Sequence, residues 1–390
     1  MHPSEHALLE WLDRAPNRER TQDFRGMRLD EVRRVLARLP APPAPLTVAG
    51  TKGKGSTVRL AECALLAGGR RSLAFTSPHL RSVAERWRID GAPAPWPMIE
   101  AAALATADAE AAAGIRLSWF ERTTAMAVAM AGMIPDVRLI LEVGIGGRLD
   151  AVNAIDPAVA AVTHLSFDHR DVLGSTLEHI AGEKLGISRP GRPLVIGPQT
   201  VEGALAVRRR LPAGVAAVWA QPDSRQPGLR GDHQRDNAGT ARAALHAFDP
   251  SLAEDAIDRG FAAADLEARC QTVAWQGRTL LIDGAHNGPS VAATLAVAGG
   301  ALRPGFTVVL GTAKDKEIDA ILAALPVGTR LIRCGYDSPR ARGPGDWPAI
   351  AQDTPWAPSV AAVLAAPPAG DLCITGSFYV AGEALAVVDA

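Results

Sequence analysis

The chain has 390 residues, 47% hydrophobic and 21% charged, with 41 basic against 42 acidic side chains. That length allows one large or two medium domains, and a net charge of −1 argues against a nucleic-acid partner held by bulk electrostatics. Four widely spaced cysteines without metal-ligand spacing, a polar start and no uncharged membrane-length apolar run point to reduced thiols in a cytoplasmic, monomeric protein away from any membrane.

Residues 5–12 and 29–39 carry helical apolar stripes, separated by the polar segment 14–28. A proline-rich stretch, 40–45, stops the second and leads into a short apolar strand at 46–49. There follows Gly50-Thr51-Lys52-Gly53-Lys54-Gly55-Ser56-Thr57, opening into a helix with apolar residues at 58, 60, 61, 64 and 65 and closed by Gly68-Gly69. Strand, glycine-rich turn with lysine, then helix is the order of a phosphate-binding loop. Glycines let backbone N–H groups converge on phosphate, Lys54 supplies a point charge, and Ser56 or Thr57 offers a hydroxyl to Mg²⁺. The competing interpretation is a glycine-rich turn with a chance lysine.

Residues 72–76 read as a strand that ends in the turn Ser77-Pro78-His79-Leu80. Helices are expected at 98–113, 122–133 and 176–187, and strands at 137–143, 158–163 and 193–197. The alternation predicts a P-loop-containing, doubly wound, mostly parallel sheet with ligands at the strands' carboxyl ends. A second set of strands at 279–283, 306–310, 329–333 and 371–375 predicts a smaller Rossmann-like α/β domain. The boundary is set at 266/267, and the proline-rich stretches 339–357 and 366–369 read as surface loops. Two α/β domains with polar strand ends suggest a ligand held between them.

Glu142 ends an apolar strand, where a carboxylate is costly unless a cation or a donor meets it. It reads equally as a magnesium ligand or as a partner of Arg148 or a helix cap. Asp168-His169 is a second polar strand end, where His169 is more often structural than a metal ligand. Lys184, on a helix with Leu177, Ile180 and Ile187, reads from its spacing as a solvated lysine. Asp283-Gly284-Ala285-His286-Asn287 suits a ribose or phosphate site at the start of a helix.

Together these segments resemble the folylpolyglutamate synthases and dihydrofolate synthases, the folate branch of the Mur ligase superfamily. The phosphate loop Val48–Thr57, the loop Thr76-Ser77-Pro78-His79-Leu80 and the signature from Glu142 to Asn153 carry the resemblance. So do Asp168-His169, residues 173–187, Gly231-Asp232-His233-Gln234, Asn237-Ala238, Asp283–Asn287, Asp315-Lys316 and residues 376–382. The match runs over about residues 25–385, and the order of the motifs makes it specific.

The resemblance implies an ATP-dependent ligase that phosphorylates a folate carboxylate to an acyl phosphate, which the amino group of L-glutamate then attacks. Its substrates would be ATP, L-glutamate and dihydropteroate or tetrahydrofolate polyglutamate, with Mg²⁺ (or Mn²⁺) at two sites. Ser56 and Glu142 would hold the first metal, and Glu142 and His169 the second. Lys54, Lys184 and His286 would serve catalysis, with Lys184 carbamylated. ATP would meet Thr51, Lys52, Gly53, Lys54, Gly55, Ser56, Thr57, Asn237, Arg269 and Asp283. Folate and glutamate would meet Ser77, Pro78, His79, Phe120, Arg148 and Ser377. Lys52 stands where asparagine is usual, Thr47 where histidine is frequent, Ala268 where glycine precedes Arg269, and Gly288 where proline is usual. These departures leave open a Mur-like ligase for another acid and amine. A non-catalytic nucleotide-binding module is the third alternative, against which Lys54, Glu142, His169 and Lys184 stand together.

Overall fold

Short strands that are apolar on both faces have to sit inside a sheet covered on both sides, and the first half of the chain does this. A computed structural model describes residues 3–17, 28–168 and 170–389. The chain forms two units: residues 1–228 with 234–264, and residues 229–233 with 265–390. The division falls between residues 264 and 265, and residues 229–233 go with the second unit.

The first unit begins with α1 (Pro3–Asp13) and α2 (Leu29–Leu36), then β1 (Leu46–Ala49), α3 (Lys54–Ala67) and β2 (Ser72–Phe75). It continues through β3 (Trp87–Ile89), β4 (Ala92–Pro93), α4 (Trp96–Ala113), α5 (Trp119–Ala131), β5 (Arg138–Glu142) and β6 (Val159–Val162). Next come α6 (Arg170–Leu173), α7 (Leu177–Leu185), β7 (Leu194–Ile196), α8 (Val201–Arg210) and β8 (Ala217–Trp219). Helices α9 (His233–Phe248), whose first residue falls at the unit boundary, and α10 (Glu254–Ala262) close it. The strand order is β4-β3-β2-β5-β1-β6-β7-β8. β1 lies between β5 and β6, parallel to both, and only the β2–β3 and β3–β4 pairs are antiparallel. Val48 pairs with Glu142, so the acid at the end of β5 stands one strand away from the loop that leaves β1.

Local chemistry sets the helix starts. Ser118 and Glu121 form a reciprocal capping box at α5, and Thr176 Oγ accepts from His179 N–H at α7. One core, from Leu8 to Val215, gathers Phe75, Trp87, Trp119, Met126, Met130 and Leu141. Each such side chain contributes about 1.5–3 kcal/mol on full burial.

The second unit holds β9 (Gln271–Trp275), β10 (Arg278–Ile282), α11 (Gly288–Ala301), β11 (Thr307–Leu310), α12 (Ile318–Ala323) and β12 (Arg330–Cys334). It ends with α13 (Ala349–Gln352), β13 (Trp356–Ala357), α14 (Val360–Ala365), β14 (Leu372–Thr375) and α15 (Phe378–Val388). Its sheet runs β13-β12-β11-β14-β10-β9, parallel except for β9 against β10. The doubly wound mostly parallel sheet and the smaller α/β unit are thus both present. Five short strands, β3, β4, β8, β9 and β13, were not legible in the sequence. Residues 339–357 are not the plain surface loop expected. Trp347 is buried there, and Arg342 crosses the segment to donate to the carbonyls of Lys314, Lys316 and Asp346. All four cysteines are buried and free.

Candidate functional site

The loop after β1 can bend as it does only with glycine at two positions. Gly53 has φ +86°, and a Cβ there would overlap Asn237 Oδ1. A Cβ at Gly50 would overlap Thr163 Oγ1 at the end of β6. Thr163 donates to Lys52 O at 2.6 Å, and Thr51 and Lys52 both donate their backbone N–H to His164 O. The loop is thereby pinned to β6. Thr51 Oγ1 also donates to Ser166 O at 3.0 Å.

Two lysines converge on one carbonyl. Lys54 Nζ donates to Gly50 O at 3.2 Å, and Lys184 Nζ, on α7, donates to the same oxygen at 2.9 Å. Lys184 is 4% exposed, which overturns the solvated interpretation of its helix position. Burial, and then the charge of Lys54, push its ammonium down to about 7. Lys52 is also pushed down by burial, with Asp168 opposing the shift. Ser56 and Thr57 begin α3 beside Gly55. Ser56 is 3% exposed, while Thr57 is fully enclosed and its hydroxyl has no partner among the described residues. Asn237 donates to Gln234 Oε1 at 2.8 Å.

Glu142 is 4% exposed at its strand end, and its Oε2 accepts from Ser77 N–H at 3.2 Å. Arg148 does not pair with it, since that guanidinium meets Glu183 Oε1 at 2.8 Å. The signature turn between them is held by Asp150, whose carboxylate accepts from Gly144, Ile145 and Val152 N–H. Gly147 packs on the backbone of Glu183 and Lys184, so the turn and the buried lysine are fixed together. Phe120 presses on Gly144, with its ring 5.7 Å from Phe75. Pro78 follows a cis peptide bond, and His79 next to it takes part in a buried arrangement with Arg86 and Trp119. His169 lies outside the described residues.

Carboxylate and hydroxyl oxygens at this place are the donors that a hard divalent cation such as Mg²⁺ or Mn²⁺ takes, so Ser56 and Glu142 fit such an ion by donor type.

The second unit brings Arg269, Asp283, His286 and Ser377 to one corner. The Arg269 guanidinium lies 4.6 Å over the Phe378 ring, and the His286 ring lies 6.0 Å from the same ring. Asp283 is already engaged. Its carboxylate accepts from Cys270 N–H at 2.7 Å, Ala285 N–H at 2.8 Å and Thr294 Oγ1 at 2.8 Å. Ala268 and Cys270, either side of Arg269, take left-handed φ values of 54° and 47°. Ser377 caps α15 by accepting from Tyr379 N–H at 3.1 Å.

Thr163, Asp150, Arg86, Trp119 and Phe378 shape these clusters and were not singled out by sequence. Residues 150 and 378 lay within recognised motifs, but nothing in their spacing showed which neighbour each would hold.

No protein-family model matches the chain. It is 36% identical over 348 residues to the dihydrofolate synthase/folylpolyglutamate synthase of Escherichia coli K12, covering 82% of this chain and 79% of that protein. The Mycobacterium tuberculosis H37Rv protein of the same name is 36% identical over 345 residues, with 75% and 70% covered. Among solved structures, E. coli FolC in complex with DHPP and ADP matches with a TM-score of 0.83 at 29% identity, over 98% of this chain and 97% of that one. A bifunctional folylpolyglutamate synthase/dihydrofolate synthase with Mn, AMPPNP and L-glutamate bound matches with 0.83 at 30%, over 100% and 99%.

Proposed function

The chain belongs to the dihydrofolate synthase/folylpolyglutamate synthase family, and from that premise we propose how its own residues carry the ATP-dependent joining of L-glutamate to a folate-type carboxylate. The observation that carries the proposal is the convergence of Lys54 and Lys184 on Gly50 O, inside a loop whose two pinned glycines face β6 and α9. The Lys54 ammonium beside that carbonyl supplies positive charge that a polyphosphate would neutralise, while Lys184, pushed down to about 7, is the more readily neutral of the two.

Lys54 leaves the Gly50 carbonyl for the phosphates of ATP, and Lys52 adds charge beside them. Gly53 and Gly55 present backbone N–H groups, Thr51 holds the loop through its N–H bond to His164 O, and Asn237, packed against Gly53, borders the nucleotide. Ser56 and Glu142, with His169, would hold the divalent cations, which when bound offset negative charge on the transferring phosphoryl. The substrate carboxylate attacks the γ-phosphorus and ADP leaves, giving an acyl phosphate. The glutamate amine then attacks its carbonyl carbon and phosphate departs. Ser77, Pro78, His79 and Phe120 face the pteridine or aminobenzoate end, while Arg148 and Ser377 serve carboxylate recognition. On the second unit, Arg269, Asp283 and His286 are the residues that would meet nucleotide. Of these, Asp283 acts chiefly by holding the turn that presents Arg269.

Lys184 is suited to carbamylation. An amine held near 7 is substantially neutral at pH 7, the form that adds CO₂. The buried free thiols support a reducing, cytoplasmic setting.

The test is ADP release by the purified protein with dihydropteroate or tetrahydrofolate as acid, with and without L-glutamate. Turnover that requires both the acid and glutamate supports the reading. Turnover indifferent to the pterin acid defeats it.

A further inference from the structure

The loop given above to the folate side is locked far more tightly than a surface turn requires. Glu85 accepts from Leu80, Arg81 and Ser82 N–H at 2.7, 3.0 and 2.8 Å. Glu5 accepts from Val83 N–H at 3.0 Å, and Thr76 N–H donates to Arg86 O at 2.9 Å. Inside this frame Arg86 is 2% exposed, among the largest fully enclosed side chains of the chain. Burying a guanidinium is expensive, and a turn does not need one.

Arg86 reaches His79. Its Nε donates to His79 Nδ1 at 2.9 Å, and its guanidinium lies 4.4 Å over the Trp119 indole. The His79 ring stacks on the same indole at 6.3 Å and 28°. A guanidinium has donors and no acceptor, so Nδ1 must present its lone pair to it. In a neutral imidazole with Nδ1 accepting, the proton sits on Nε2. His79 Nε2 has no hydrogen-bond partner among the described residues, and the ring keeps part of its surface open.

We propose that Arg86 is a positioning residue that fixes His79 as the neutral Nε2–H tautomer, so that His79 serves the pterin acid as a hydrogen-bond donor and not as a base. The proposal rests on the reading that the 76–80 loop faces that substrate. Its chemical consequence is a preference for an acceptor atom, such as a ring nitrogen or carbonyl oxygen, opposite Nε2. Protonation of His79 would place a second cation against Arg86, and burial together with that charge pushes the imidazole down to about 3.

The experiment is ¹⁵N NMR of the histidine side chains of the full chain, with the His79 signals identified by their loss in His79→Gln. The expected result is a neutral Nε2–H imidazole from pH 7 down to about pH 5, whose Nε2 resonance shifts when dihydropteroate is added. A protonated Nδ1 or an imidazolium at pH 7 overturns the lock. The lock with no response to dihydropteroate instead overturns the assignment of the loop to the pterin acid. Arg86→Leu should raise the pH at which His79 protonates, with burial still holding it below its ordinary value, and raise the KM for the pterin acid about tenfold, with kcat changed less. Arg86→Gln, which can still donate to Nδ1, should recover most of that loss. Equal KM values in the two variants would speak for a purely structural arginine. Should Arg86→Leu fail to fold, the wild-type spectrum alone still decides the tautomer.

Discussion

The phosphate loop of the first unit and the Arg269–Asp283–His286 corner of the second are both polar clusters at strand ends, built on opposite electrostatic plans. Around Gly50, two lysine side chains share one carbonyl, and Lys184 is pushed down by its burial and by the charge of Lys54. Around Asp283, three donors already meet the carboxylate, and an aromatic ring carries the neighbouring guanidinium. The first arrangement gains when an anion arrives. The second is complete beforehand and holds geometry. The same residue types thus mark a binding element in one place and a scaffold in the other, and what separates them is whether their hydrogen bonds and charges are already met.

Substitutions in the first cluster should therefore damage turnover before stability. Lys54→Ala and Glu142→Gln are each expected to lower kcat by about 10³-fold, roughly 4 kcal/mol of transition-state stabilisation. Glu142→Gln should keep measurable ATP affinity. Steady-state ADP release and nucleotide titration check both, and full activity in Glu142→Gln would remove the metal assignment.

The second cluster should behave the other way. Asp283→Asn turns one acceptor oxygen into an NH₂ facing existing donors. It should cost about 2–3 kcal/mol in urea unfolding, with the KM for ATP rising because the turn beside Arg269 loosens. A loss of kcat at unchanged stability would erase the contrast between the clusters.

A smaller effect separates space from backbone strain. Gly53→Ala meets both a left-handed φ of +86° and the side chain of Asn237, whereas Gly191→Ala meets a φ of +72° with nothing within 4 Å. The latter should cost about 1 kcal/mol, the usual penalty for an unfavourable backbone region. The former should cost more and weaken ATP binding as well. Thermal unfolding with and without ADP distinguishes them.

A pH dependence gives a further test. Lys184 titrates at about 7 when folded and at its ordinary 10.5 when unfolded. Between those values the unfolded chain binds the extra proton, so this lysine makes stability rise with pH from about 7 to 10.5. Lys184→Met should flatten that slope in unfolding curves recorded across the window. Added bicarbonate should raise activity of the wild type alone if the amine is carbamylated.

Much of the fold was written in local chemistry. The strands of both sheets that carry the site are apolar runs bounded by glycine or proline, and Gly50 to Thr57 announces its turn through the only residue type that tolerates it. The five missed strands are two to five residues long at or next to sheet edges. Trp87 and Gln271 gain their strand state from a neighbour's backbone, which no window of sequence contains. The signature residues 142–153 were recognisable as a unit, while their partners were not, because Arg148 finds Glu183 and Glu142 finds Ser77 across dozens of residues.

By itself, then, the sequence determined the strands that carry the site, the glycine-dependent loop and the family. The strands and the loop depend on propensities and spacings within a dozen residues, and the family on the order of motifs along the chain. Only tertiary structure decided which charges are met and which are left over. Lys184 looked solvated on its helix and is buried beside Lys54, and Arg86 drew no notice in sequence and sits under His79. Protonation and hydrogen-bond roles depend on what surrounds a group in space, and that environment exists only once distant segments have packed.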